Sequence, residues 1–195
     1  MKHWSHSLPP SRRRIYDRSN GITTIPLNPG LVLRQAVREL QGALARGDRR
    51  RVGDLSQRIA DDVCASLRVP SLRVVVQGRR PLSRSGELHG LYTPGMDDRR
   101  DTVKVWMMTA KRGQVVAFRT FLRTLVHELC HHLDYTFLAL PDSLHSDGFY
   151  ARESLMMRRL MGETAGGGVQ RSVAGRAAPR GTVVRPRAGA PVRES

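Results

Sequence analysis

A chain of 195 residues holds one domain with tails, or at most two very small domains. No run approaches 18 apolar residues, which excludes a membrane-spanning helix. The first twenty residues carry no apolar core of the secretory type, and two cysteines, Cys64 and Cys130, exclude a disulfide framework. These features lead us to expect a reduced, cytoplasmic protein.

The 33 basic and 17 acidic side chains give a net charge of +16. Residues 1–20 and 163–195 carry +4 each, so half of the excess sits on the ends of the chain. Nearly all the basic residues are arginine. A bias toward arginine explains this as well as a nucleic-acid footprint does. An aromatic fraction of 5% argues against a stacking platform for single strands.

In chain order, residues 1–20 are polar and basic, with Pro9-Pro10 and the run Arg12-Arg13-Arg14. They read as a flexible basic arm, from which Ile15, Tyr16 and the stretch Ile22 to Leu27 could dock. Leu33, Val37, Leu40 and Leu44 recur at helical spacing and predict a helix over 31–46, stopped by Gly47-Asp48. Val52, Leu55, Ile59, Val63 and Leu67 predict a second helix over 49–68, ended by Pro70. The period then changes to two. Strands are expected over 72–77, 87–93 and 102–108, and their close spacing suits a small meander. His89 reads as a solvated strand histidine.

A long helical pattern covers 115–134 and a last one covers 149–161. Cys130 and the Met156-Met157 pair read as packing residues. The end, 163–195, is rich in Gly, Ala, Arg and Pro, and is expected to be a disordered basic tail. The folded part is then 21–162, ordered α-α-β-β-β-α-α, an α+β arrangement on a mixed sheet.

Inside the long helix stands His127-Glu128-Leu129-Cys130-His131, the pattern H-E-x-x-H. Histidines at i and i+4 share one helix face, so their imidazoles can converge on one metal ion. Glu128 lies about 100° round the helix, where a longer side chain can act as a base on water. From this composition the pattern would arise by chance in under about one chain in a hundred.

A catalytic ion needs a third ligand. Asp134 is too short to reach back along the axis and is expected to bond His131 from behind. Glu153 is a runner-up, Asp147 a weaker one. His145 is preferred, because it follows the turn after Pro141 and can approach the metal from outside the helix. His132 points away from His131 and reads as structural or as a wall of the cleft.

The run HELCHHLDY, followed by His145-Ser146-Asp147-Gly148-Phe149, resembles the SprT-like branch of the zincin metallopeptidases. That branch shows H-E-x-x-H and then H-x-x-x-F. The segments SRRRIYDRSNGI, GELHGLY, FRTFLRTLVHELCHHLDY and GFYARES also resemble bacterial proteins carrying such a domain. The SprT-like likeness covers roughly 71–162 and leaves out the two leading helices. It implies a zincin-like fold, Zn2+ held by His127, His131 and His145, and Glu128 as general base. One position departs, Ser146, where the family usually has Gly. Metzincins are excluded, since their pattern wants Gly and His where this chain has Asp134 and Phe137.

The expectation is therefore a zinc metallopeptidase acting on a protein or peptide. An extended substrate would add to a sheet edge, either Thr102 to Met108 or Glu87 to Thr93. Tyr150, Tyr135 and Arg152 are candidates to stabilise the oxyanion. Two other readings stay open on the residues alone: a structural zinc module with a fourth protein ligand, and a basic nucleic-acid-binding protein. Nothing in the sequence specifies an oligomeric state.

Overall fold

The computed structural model describes residues 8–83, 86–163 and 181–183, with only the backbone at Ser83 and in the last segment. Within the segment expected to be a flexible arm, residues 10–20 are helical. Pro10–Gly21 form helix α1, with proline in its first turn where a missing N–H costs nothing. The helix buries Tyr16 and Ser19 against the last helix of the domain, and Ile25 and Leu27 follow into the core. Residues 1–7 lie outside the description.

Helices α2 (Leu31–Ala45) and α3 (Arg49–Leu67) form a hairpin across Arg46–Asp48. The Asp48 side chain caps α3 by accepting from the Arg51 N–H at 3.0 Å. The apolar stripes expected of both helices are buried, and α3 lies on the first strand of the sheet.

The sheet is mixed, as expected, but it is no meander. Strands β1 (Arg73–Arg79) and β5 (Thr102–Met108) pair in parallel, with Arg73 opposite Thr102 and Arg79 opposite Met108. Strand β4 (Gly90–Thr93) runs antiparallel on the far side of β5, Gly90 facing Val105. The reason lies in the connection. After β1 the Arg80 N–H bonds the Met108 carbonyl at the end of β5, so the chain passes that end before turning back. Two-residue strands β2 (Leu82–Ser83) and β3 (Gly86–Glu87) form a small hairpin within this crossing. The strand expected over 87–93 is therefore split, and His89 sits in the gap. It is half-buried rather than solvated, with no hydrogen-bond partner at Nδ1 among the described residues.

Helix α4 (Phe118–Thr136) crosses β4 and β5. It begins three residues later than its apolar pattern suggests, because Val115 bridges Met108 and the Val116 N–H bonds the Met107 carbonyl. Its Phe121, Leu122, Leu125, Val126, Leu129 and Leu133 are core residues. Helix α5 (Asp147–Met161) packs on α4, α1 and α2 and ends at Gly162, whose φ of 70° suits glycine. Both cysteines are free and buried, and Met156 and Met157 are buried as expected.

The tail expectation needs one correction. Gly181–Val183 form a strand, β6, parallel to β4, giving the sheet order β1-β5-β4-β6. The other residues from 164 onward lie outside the description. The domain is α+β, with five helices among the described residues, and no described helix is long and apolar enough to cross a membrane.

Candidate metal centre

A helix that is buried all round normally carries apolar residues only. The middle of α4 departs from this: His127, Glu128, His131, His132 and Asp134 are all buried beside Leu129 and Cys130. Buried polar groups need partners, and the partners define the site.

His127 and His131 stand one turn apart, and the loop between α4 and α5 delivers His145 to the same point. The His145 Nε2 lies 3.0 Å from the His127 Nε2 and 3.2 Å from the His131 Nε2. Four-coordinate zinc at 2.0–2.1 Å from each nitrogen would separate its ligands by about 3.3 Å. The spacing thus fits a single ion with little adjustment. His127, His131 and His145 form the one such group among the described residues.

The far side of each helix imidazole sets its tautomer. The His127 Nδ1 faces the Glu153 carboxylate at 2.9 Å, and the Arg123 guanidinium holds the other Glu153 oxygen at 2.8 Å. An ionised carboxylate only accepts, so Nδ1 carries the proton and Nε2 a lone pair. The Ser143 hydroxyl donates to Asp134 at 2.7 Å and therefore accepts from the His131 Nδ1 at 2.7 Å. Two lone pairs thus point at the place where His145 arrives, an arrangement that a cation satisfies and a proton cannot share three ways. Burial, with His127 beside them, pushes His145 down to about 4 and holds His131 well below its ordinary value. Both stay neutral at physiological pH, as metal ligands must.

The rivals for the third ligand are elsewhere. Glu153 is the orienting partner of His127, and Asp147 is exposed on the first turn of α5. The expected bond from Asp134 to His131 exists only through Ser143, because Arg152 holds the second Asp134 oxygen at 2.8 Å. His132 turns the other way. Its two ring nitrogens donate to Asp101 at 2.7 Å and to the Pro70 carbonyl at 2.8 Å. No fourth donor joins the three imidazoles among the described residues, so the structural-zinc arrangement lacks its last ligand there.

Glu128 is the other feature of the site. Neither carboxyl oxygen has a hydrogen-bond partner among the described residues, though both are buried. Desolvation pushes the group up to about 8, opposed by the nearby Tyr92 backbone N–H and reinforced to a smaller extent by Glu153. Gly90 of β4 lies directly against it. Sequence reading missed Gly90, Ser143 and Arg123. A glycine inside a strand was the available signal for the first, since it marks close approach of another group.

Of the three oxyanion candidates, Arg152 is fully buried and spent on Asp134, Ser19 and the Ile22 carbonyl. The Tyr135 hydroxyl accepts from the Ser143 N–H at 3.3 Å, and its ring stacks on Tyr92. Tyr150 stacks on His145 with ring centroids 5.8 Å apart and is half-buried. It is the one that borders the cluster with an open side.

Helix α1 braces the loop that carries Ser143 and His145. Arg18 donates to the Leu138 carbonyl at 2.9 Å, and the Ser19 and Ser146 hydroxyls lie 2.9 Å apart. Asn20 accepts from the Gly148 N–H at 3.1 Å. Ser146, the departure from the SprT-like pattern, also caps α5 by accepting from the Phe149 N–H at 3.1 Å.

Compared with known proteins, the chain matches no family model, no curated protein and no solved structure. The chemistry of the site must carry the functional reading. A buried triad of neutral imidazoles, with a half-open side at His145 and an unpartnered carboxyl close by, can hold a divalent ion and leave one coordination position for a small ligand.

Proposed function

We propose that the chain is a zinc-dependent hydrolase of the SprT-like zincin type that cleaves peptide bonds. The observation that carries this reading is the convergence of the three Nε2 atoms beside a buried, unpartnered Glu128 carboxyl. Three nitrogen donors and no thiolate suit zinc in a catalytic rather than a closed structural role. His127, His131 and His145 would hold the ion, which would supply a Lewis acid that acidifies water and polarises a carbonyl.

The chain's own residues do the rest. Glu153 and Ser143 fix the two helix imidazoles, so that ligand geometry costs no reorganisation during turnover. Glu128, with an affinity for protons raised by burial, takes one from the attacking water at a carboxyl oxygen. It then returns that proton to the departing amine. Tyr150, whose ring stacks on His145, would donate to the developing oxyanion.

Glu128→Gln tests the assignment. The variant keeps stoichiometric zinc and loses peptide hydrolysis by at least about 100-fold, the lower end of what general-base catalysis contributes. Undiminished turnover at full metal occupancy would remove Glu128 from the mechanism.

A further inference from the structure

An extended peptide recognised by strand addition needs a free sheet edge. Thr102 to Met108 cannot serve, because β5 is the central strand, hydrogen-bonded on both sides by β1 and β4. On the other side of the sheet, β4 presents its second edge next to the candidate site. Gly90 touches Glu128, and α4, which bears the histidines, packs beneath β4. This edge is not bare. Gly181–Val183 lie along it in parallel register, Gly181 opposite Gly90, Thr182 opposite Leu91 and Val183 opposite Tyr92.

The sequence explains why this segment is the one that pairs. Between 164 and 195 the residues are mostly Gly, Ala, Arg and Pro, which form strands poorly. Thr182-Val183-Val184 is the only run of three β-branched residues there, and it stands between Gly181 and Pro186. The 17 residues from 164 to 180 can span up to about 60 Å, ample to bring the segment from the end of α5 to β4 of the same chain.

We propose that the β4 edge is the docking seat for an extended peptide and that the chain's own Gly181–Val183 segment occupies it in cis. The tail segment then competes with a peptide substrate for the same backbone hydrogen bonds, opposite the glycine that faces Glu128. Because a backbone ladder is indifferent to most side chains, the seat accepts extended peptides of varied sequence. This rests on the hydrolase reading for its consequence, but the seat itself can be measured without turnover.

The test compares the full chain, zinc-loaded, with its double variant Thr182→Pro and Val183→Pro. Alternate residues of a strand turn their N–H groups to opposite sides, so two successive prolines remove whichever donor faces β4. Amide exchange at residues 90–93 is expected to quicken at least tenfold in the variant. A synthetic peptide of residues 178–187, APRGTVVRPR, is expected to bind the variant at least tenfold more tightly than the parent. Peptide hydrolysis should rise in the variant and be inhibited competitively by the same peptide.

Equal exchange in both chains, or equal peptide affinity, overturns the proposal. So does a dimer of the parent that dissociates in the variant, since the strand would then come from a second copy. A rise in hydrolysis that the peptide fails to inhibit competitively overturns it too, by separating the seat from the substrate path. Hydrolysis absent from both chains, with exchange and peptide binding changed as stated, contradicts the hydrolase reading instead and leaves the seat standing. A single Thr182→Ala variant, which keeps the ladder, should behave as the parent in exchange.

Discussion

Gly90 and Glu128 are fitted to each other across the gap between sheet and helix: a Cβ at position 90 would lie 2.3 Å from the Glu128 Oε1. No carbon can stand that close, so any larger residue at 90 must displace the carboxyl. Gly90→Ala is expected to move Glu128 by about an ångström and cut hydrolysis by about 100-fold. Metal content should be unchanged, because the three atoms nearest a Cβ there all belong to Glu128 and none to an imidazole. Parallel measurements of kcat/KM and bound metal check both halves.

Glu153 holds His127 in the tautomer that frees its Nε2, at 2.9 Å. Glu153→Gln retains the shape but can present an N–H to the ring where an acceptor is needed. Outer-sphere changes of this kind cost about 10–100-fold in metal affinity. Competition against a chelator of known affinity measures the loss, and Glu153→Asp should lie between the two.

Arg152 and Asp134 form an ion pair with neither side chain exposed to solvent, at 2.8 Å. Removing one member strands a buried charge. Arg152→Met is expected to destabilise the fold by about 3–5 kcal/mol, read by chemical denaturation. Since Arg152 also donates to Ser19 and to the Ile22 carbonyl, the same change should free helix α1, and amide exchange in residues 10–21 should rise.

Asp101 and His132 set a window of stability. Burial alone would push His132 down, yet its bonds to Asp101 and the Pro70 carbonyl bring it up to about 9. Burial would likewise raise Asp101, but His132, the Gly95 N–H and the Tyr92 hydroxyl hold it below its ordinary 3.8. The raised histidine contributes stability that is complete below 6.5, its unfolded value, and is lost as pH climbs through about 9. The lowered aspartate contributes stability that is complete above 3.8 and is lost as pH falls through its folded value. Asp101→Asn should therefore be less stable near pH 6 than the parent, and should show a smaller fall in stability between pH 6 and 9.5. Denaturant titrations at those two pH values decide it.

Helix-borne features were legible from sequence because their signals are local. The apolar stripe of α4 and the His127 and His131 spacing are both read within a few turns, and His145 was reached by its distance past Pro141 and by resemblance. The partners that orient these ligands were not legible. Glu153 meets His127 from 26 residues away and Ser143 reaches His131 across a loop, contacts that no period encodes. Helix α1 was missed for a different reason. It buries only Tyr16 and Ser19, and hydrogen bonds from Arg18, Ser19 and Asn20 rather than an apolar stripe hold it. Strand order failed in part: β4 and β5 pair as neighbours in sequence, but β1 pairs with β5 instead of β4, because the connection carrying Arg80 passes the end of β5.

X-ray absorption at the zinc edge of the metal-loaded chain tests the central claim most directly. The account predicts one ion per chain with three imidazole nitrogens at about 2.0–2.1 Å and one exchangeable oxygen, reduced to two imidazoles in His145→Ala. A chain that takes up no zinc, or an ion ringed by four protein donors, would contradict it.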